Sequence, residues 1–380
     1  MSAGVSTSGL RLGQVAGIPI RIAPSWFVIA AIITVLYAGT VARVVGPGPA
    51  AYAGAFGFAL LLAASVLVHE ATHAAVARSF GLAVDEIVVD LWGGHTSLGA
   101  PPNPVQAAAV AVLAPLANVA LAGLIWAVGL VWQPDGLVGF LLGATLLANL
   151  LVGIFNLLPG LPLDGGRVLE AVVWGLTGDR DRGTEVAGWA GRVVVLGAAA
   201  VVIGLPLLRG TTPSLFAVLW VVLLGATLWR AASEAVTVAG NRRRIRSVDP
   251  RSLTRPLLTL PEDATVADWS RSADGGRVTT VLVDGSGRPS AVVDPAAAAA
   301  VPAAAVTTTP VSSAAVRLSP HAWAPESATT LDVVERLGRV GGPGLVLIRP
   351  PGAAVSWVGS AAVQEAMRTA LRGRDGRGRP

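Results

Sequence analysis

A chain of 380 residues that is 53% hydrophobic and only 13% charged departs far from soluble domains, in which about a quarter of residues carry charge. Its net charge of +5 rests on arginine alone, since lysine is absent, and no basic stripe with interleaved aromatics accompanies it, so nucleic acid is not an expected partner. With no cysteine the chain has neither a disulfide framework nor a thiolate metal site, which leaves histidine and carboxylate as the only strong metal ligands.

Residues 1–22, with Arg11 and Arg21, read as a cytoplasmic N-terminal segment rather than a cleaved signal, because the apolar run that follows is long enough to span. A spanning helix needs roughly 20 mostly apolar residues. Six stretches meet that need, at about 24–43, 54–78, 105–132, 137–158, 188–208 and 213–236, and together they define a membrane domain over 23–240. The second holds His69, Glu70 and His73 and the third holds Asn118. Polar groups at membrane depth are costly and mark function.

An even number of spans returns both termini to one side. Arg11, Arg21, Arg78, Arg167, Arg180, Arg182, Arg230 and the cluster Asn241-Arg-Arg-Arg-Ile-Arg246 share that side, against Arg43 and Arg209 on the other. The positive-inside rule then predicts a multi-pass cell-membrane protein with both termini in the cytoplasm.

Beyond the last span, residues 248–372 read as an α/β domain. Val278–Val283 followed by Asp284-Gly-Ser-Gly287 predicts a strand and a tight turn, with Ala291–Val293 as the return strand. The order recurs with a helix over Thr330–Leu337, strands at Gly344–Ile348 and Val355–Val358, and a helix over 361–371, which predicts two related βαββα units. The alanine-rich stretch 296–305 reads as their connector or as one more helix. Residues 373–380 are expected as a basic, disordered tail weakly drawn to anionic lipid.

His69-Glu70-Ala71-Thr72-His73 is an HExxH sequence inside a spanning helix. Residues four apart share a helix face, so both imidazoles can bind one metal ion. Glu70 beside them is placed to take a proton from water that zinc would activate. A catalytic zinc needs a third protein ligand and an open position. The best candidate is Asp164, in Asn156-Leu-Leu-Pro-Gly-Leu-Pro-Leu-Asp-Gly-Gly-Arg167. Taken alone, Asp164 is equally suited to cap the helix that follows it. Depth favours the ligand reading. His69 lies about 15 residues, or roughly 22 Å, into an inward-running span. Asp164 lies just past the cytoplasmic end of another inward-running span.

These residues resemble the site-2 proteases, zinc intramembrane proteases that carry HExxH and a later N-x(2)-P-x(2)-P-x-D-G motif. The resemblance covers roughly residues 15–236 and includes Gly17-Ile-Pro-Ile-Arg21 and Pro24-Ser-Trp26 before the first span. It implies one zinc ion held by His69, His73 and Asp164, with Glu70 as general base, acting on a membrane-embedded or membrane-associated protein substrate in regulated intramembrane proteolysis. Leu91-Trp-Gly-Gly94 resembles the family's re-entrant hairpin, which would make Gly93 and Gly94 part of a substrate-binding edge; a simple loop turn is the other reading. Asn118, in Ala114-Pro-Leu-Ala-Asn118, is open to contact with substrate or to stitching helices together. Asn156 carries the same two readings. His95 departs from the small or apolar residue expected after Gly94; reaching the metal, steering substrate and sitting solvated at the aqueous mouth all stay open. His321 has no assigned role.

The C-terminal part resembles a pair of cystathionine-β-synthase-type (CBS) modules, which often bind adenine nucleotides and regulate an attached domain. The nucleotide-gripping Gly-x-x-Thr/Ser-x-x-Asp segment is missing after Val293 and again after Val358. A structural or protein-contact role therefore stands beside nucleotide binding, and two copies pairing through this domain would be one such contact. The fold expected is an α-helical polytopic membrane protein of about six transmembrane helices with a cytoplasmic α/β domain of CBS-pair type. Membrane lipid and a membrane protein substrate are its expected partners. A metal transporter or a proteolytically silent scaffold on the same fold are the rival functions. The third, fifth and sixth spans offer a transporter almost no carboxylates or histidines to line a path.

Overall fold

The computed structural model describes residues 9–91, 93–272, 278–349 and 353–372. The chain divides into two units, Met1–Ala239 and Gly240–Pro380. Trp92 and the basic tail at 373–380 lie outside the described residues.

The first unit begins with β1 (Leu10–Val15) and β2 (Ile18–Ile22), where the sequence suggested only a lead-in to the first span. All six residues of β1 are exposed, Leu10 and Leu12 included, so the strand buries no side chain. Helices α1 (Pro24–Val45) and α2 (Pro49–Ser79) follow, each with proline in its first turn, where the missing N–H costs nothing. Next come β3 (Val84–Asp90) and β4 (Gly93–Leu98). The four strands form one sheet in the order β1-β2-β3-β4, with β2 and β3 parallel and β4 at its end. Ile18, Ile20 and Ile87 pack against Ala74 of α2, which fixes the sheet to that helix.

Helix α3 (Pro104–Val131) starts where the Asn103 side chain accepts from the Gln106 N–H at 2.9 Å, and α4 (Gly136–Asn156) follows. Helix α5 (Asp164–Thr177) ends on Gly178 at φ 71°. Helix α6 (Arg180–Ala199) is capped by the Asp179 carboxylate. A π-helical turn at Ala200–Gly204 carries it into α7 (Leu205–Leu208), and α8 (Leu215–Arg246) is the last long helix of the chain. Among the described residues, six helices are long and apolar enough to cross a membrane: α1, α2, α3, α4, the continuous Arg180–Leu208 and α8. Their outward residues are apolar, among them Leu124, Val131 and Leu215 at 61%, 92% and 73% exposure. In water such faces would aggregate; in lipid they are at rest. The second span starts earlier than its hydropathy suggested, at Pro49. The sixth runs on through the arginine run, because arginine is a good helix former.

The second unit carries a seven-stranded sheet in the order β8-β7-β6-β5-β11-β10-β9. Its first half is β5 (Thr254–Pro261), α9 (Val266–Ser272), β6 (Thr279–Val283), β7 (Pro289–Val293) and α10 (Pro295–Ala299), with β8 (Ala315–Arg317) added at the edge. The second half is β9 (Trp323–Pro325), α11 (Thr330–Val340), β10 (Gly344–Arg349), β11 (Ala353–Gly359) and α12 (Ser360–Arg372). Each half is β-α-β-β-α in order and has its own core, one around Trp269 and Leu282, the other around Val333 and Leu345. Val281, Val292, Val346 and Trp357 join the two. The alanine-rich connector becomes the five-residue α10, capped by the Asp294 side chain, and then turns.

Candidate metal centre

Helical spacing sets His69 and His73 on one face of α2, with ring centroids 4.9 Å apart. His69 Nδ1 meets Asn118 Oδ1 at 2.6 Å, and His73 Nδ1 meets the Val110 carbonyl at 2.8 Å. Both partners are acceptors, so each ring carries its proton on Nδ1 and presents the Nε2 lone pair. Asn118 is oriented in turn: its amide donates to Asn149 Oδ1 at 2.8 Å, and the Asn149 amide donates to Ser65 Oγ and the Thr145 carbonyl, both at 2.9 Å. This relay ties α2, α3 and α4 together behind His69.

Asp164 arrives from the other side. Gly165 and Gly166 have no room for a Cβ, because the backbone of Leu157–Leu158 and of Gly160–Leu161 lies against them. Glycine here lets α5 start in contact with its own incoming loop, and the loop is pinned by Leu161 N–H donating to the Ala187 carbonyl at 2.9 Å. The helix-cap reading of Asp164 gives way: Leu163 is the cap residue, without a side-chain bond, and the carboxylate faces the histidines. Its Oδ2 lies 3.1 Å from His69 Nε2 and its Oδ1 3.4 Å from His73 Nε2.

The donor set fits zinc. With metal–ligand bonds of 2.0–2.1 Å, two ligands of a tetrahedral ion stand about 3.3 Å apart, close to the observed separations. Two lone-pair nitrogens facing a carboxylate at these distances call for a cation between them. Among the described residues, these three form the group whose ligand atoms all lie within 4.8 Å of one another. Three ligands leave a tetrahedral ion one position for substrate or water.

Glu70 is buried beside the triad at 6% exposure. Thr96 Oγ1, from β4, donates to its Oε2 at 2.7 Å and approaches its backbone carbonyl at 3.1 Å. Gly94 faces the same way, and a Cβ there would stand 3.0 Å from Glu70 Cγ. Of the two readings of the glycine pair, the structure gives a hairpin: Gly93 pairs with Asp90 and Gly94 with Val89, and Gly93 at φ 122° takes a conformation open to glycine. Alternation along β4 then turns His95 to the opposite face. Its Nδ1 lies 3.4 Å from Asp90 Oδ2 with the ring half exposed, so the metal-ligand option for His95 falls away.

Asn118 has both ends of its amide committed to His69 and Asn149, which favours ligand support and helix stitching over contact with substrate. Asn156 ends α4 half-buried, and its side chain makes no hydrogen bond among the described residues. It lines a cavity of about 1030 Å³ that also takes in Glu70, His73, Asp164 and Arg167. His321 stands in the second unit, exposed. Sequence reasoning missed Thr96, Asn149 and Ser65. Asn149 alone carried a signal, an amide within an otherwise apolar span.

Residues 135–198 match the model of Peptidase family M50. The chain is 36% identical over 235 residues to sll0528 of Synechocystis, covering 60% of each protein. It is 35% identical over 235 residues to Rip3 of Mycobacterium tuberculosis, covering 60% of this chain and 58% of Rip3. Both relatives are provisionally named zinc metalloproteases, and the chain spans about 60% of their length. Among solved structures it is similar to the site-2 protease from Methanocaldococcus jannaschii, at 22% identity and a TM-score of 0.42, over 60% of this chain and 95% of that one. It is also similar to the CBS domain of a bacterial CNNM/CorC family Mg2+ transporter, at 14% identity and a TM-score of 0.28, over 33% of this chain and 79% of that one. The match to Peptidase family M50 thus falls on residues 135–198 of this multi-pass chain, the segment that holds α4, Asp164 and most of α6.

Proposed function

We propose that the chain is a zinc metalloendopeptidase that hydrolyses peptide bonds of membrane-embedded or membrane-associated protein substrates. The observation that carries the reading is the convergence of His69, His73 and Asp164 on one point with the buried carboxylate of Glu70 beside them. Bound there, zinc would polarise the scissile carbonyl and acidify water at neutral pH. Glu70 takes the proton of the attacking water and returns it to the leaving amine. Thr96 holds one carboxylate oxygen of that base in place. The edge of β4 suits an extended substrate, which pairs with it as an added strand. Asn156 brings an uncommitted carboxamide to the cavity, a donor for substrate backbone or for the developing oxyanion. The arginine distribution supports cytoplasmic termini, and the CBS-type pair is read as a regulatory or contact module.

The test compares wild type with Glu70→Gln in liposomes, measuring zinc content and cleavage of a panel of single-span substrates. Equal zinc with cleavage by wild type alone is the expected result. Equal cleavage by the variant would overturn Glu70 as the base, and absence of zinc from both would overturn the metal centre.

A further inference from the structure

Outside the metal centre, Arg192 is a charged side chain near one end of a spanning helix, packed against two tryptophans. Arg192 lies on α6, half-buried, and its guanidinium carbon stands 4.2 Å from the Trp189 ring centroid and 5.5 Å from that of Trp229 on α8. Its Nε donates to Ser233 Oγ at 3.3 Å. No carboxylate pairs with it among the described residues. The helices meet closely here, since Gly188 abuts Ala232 and Val236, and Gly191 abuts Ala232. The guanidinium lies over the rings of Trp189 and Trp229, where the attraction is electrostatic. The edge of the guanidinium, with its remaining N–H donors, is left without a protein acceptor. That edge is the part of arginine that grips phosphate through two parallel hydrogen bonds.

The level of this cluster identifies the ligand. On α6 and α7 the charge-free run Val193–Leu208 begins directly after Arg192, and on α8 the charge-free run Leu215–Leu228 ends directly before Trp229 and Arg230. Arg192, Trp189, Trp229 and Arg230 therefore sit together at one end of the apolar stretch of two antiparallel helices. Few residues of either span are buried within the chain, so lipid surrounds them. Tryptophan and arginine at such a boundary stand at headgroup depth. Trp189 and Trp229 keep 54% and 39% exposure, which leaves the cluster open to that layer.

We propose that Arg192, framed by Trp189 and Trp229 and supported by Ser233, is a binding site for the phosphate of an anionic phospholipid headgroup. Arg230 adds a second cation at the same level. The site is independent of the peptidase reading.

Native mass spectrometry of the full chain in mild detergent tests it, with phosphatidylglycerol, phosphatidylcholine and inorganic phosphate as separate probes. Wild type is expected to bind phosphatidylglycerol in preference to phosphatidylcholine and to show no binding of inorganic phosphate at matched concentration. Arg192→Gln is expected to weaken phosphatidylglycerol binding by about fivefold and to leave phosphatidylcholine binding unchanged. An unchanged affinity in a variant that melts like wild type overturns the site. Competition by inorganic phosphate at matched concentration overturns the lipid assignment. Should Arg192→Gln fail to fold, Trp229→Leu decides: weaker phosphatidylglycerol binding supports the site and equal binding overturns it.

Discussion

Thr96 donates a hydrogen bond of 2.7 Å to the Glu70 carboxylate, across 26 residues of sequence and from a strand to a helix. The bond holds Oε2 and so fixes which way the carboxylate faces. A charge-assisted bond of this kind is stronger than a neutral one. Thr96→Val keeps the side-chain shape and removes the hydroxyl. With Glu70 as the proposed base, turnover is expected to fall roughly tenfold, while zinc content stays at the wild-type level. Thr96→Ser is expected to restore most of the rate. A rate unmoved in Thr96→Val would show that the base is positioned by other contacts.

Asn118 supplies the acceptor for the His69 Nδ1 proton at 2.6 Å. Asn118→Leu removes it and leaves an N–H buried without a partner. Supporting residues of this type change metal affinity by 10–100-fold, and the same loss is expected here in competition with a chelator. Asn118→Asp keeps an acceptor and is expected to hold zinc at least as tightly. Equal affinities across the three proteins would mean that His69 needs no orienting partner.

The contrast between these two contacts explains what the sequence exposes and what it hides. HExxH is visible because its geometry is local: four residues on a helix bring His69 and His73 together whatever surrounds them. Asp164 is visible because glycines and prolines around it announce a constrained backbone. The spans are visible because lipid demands long apolar runs. Thr96 is one hydroxyl in a strand, and nothing near it in sequence points to Glu70. The Ser65–Asn149 bond joins residues 84 apart. The sheet formed by β1 to β4 was hidden for a related reason, since its first strand is exposed along its whole length and is held by its ladder to β2.

Gly94 belongs with Thr96 in this respect. A Cβ at position 94 would stand 2.9 Å from Val66 Cγ1, 3.0 Å from Glu70 Cγ and 3.1 Å from the Val88 carbonyl oxygen. The last of these is backbone and cannot step aside. Gly94→Ala is therefore expected to lift β4 from α2 by a few tenths of an ångström, stretching the Thr96 bond. Turnover should fall several-fold with zinc retained, and combining it with Thr96→Val should cost little more than either alone, because both act on one contact. Full additivity in that double variant would separate the two positions.

The C-terminal pair repeats one device that fixes its helices. Thr265 and Asp268 close a reciprocal cap on α9, with Asp268 Oδ2 accepting from the Thr265 N–H at 2.9 Å and its hydroxyl at 2.7 Å. Thr329 and Asp332 do the same at α11 with the same two distances. Hydrogen bonds from the Thr329 hydroxyl and backbone hold the Asp332 carboxyl below its ordinary value of 3.8. A carboxylate whose pKa is depressed by folding stabilises the folded state above its unfolded value, and that contribution is lost as pH falls through the folded one. Hydrogen exchange at the first-turn amides of α11, corrected for intrinsic rates, should then show constant protection from pH 7 to about 5 and declining protection below about 4. Thr329→Ala is expected to cost about 1 kcal/mol in that protection at neutral pH. Asp332→Asn should flatten the acid limb, since an amide has no charge to lose. An acid limb that survives in Asp332→Asn would assign it to another carboxylate and remove the cap as the source of the pH dependence.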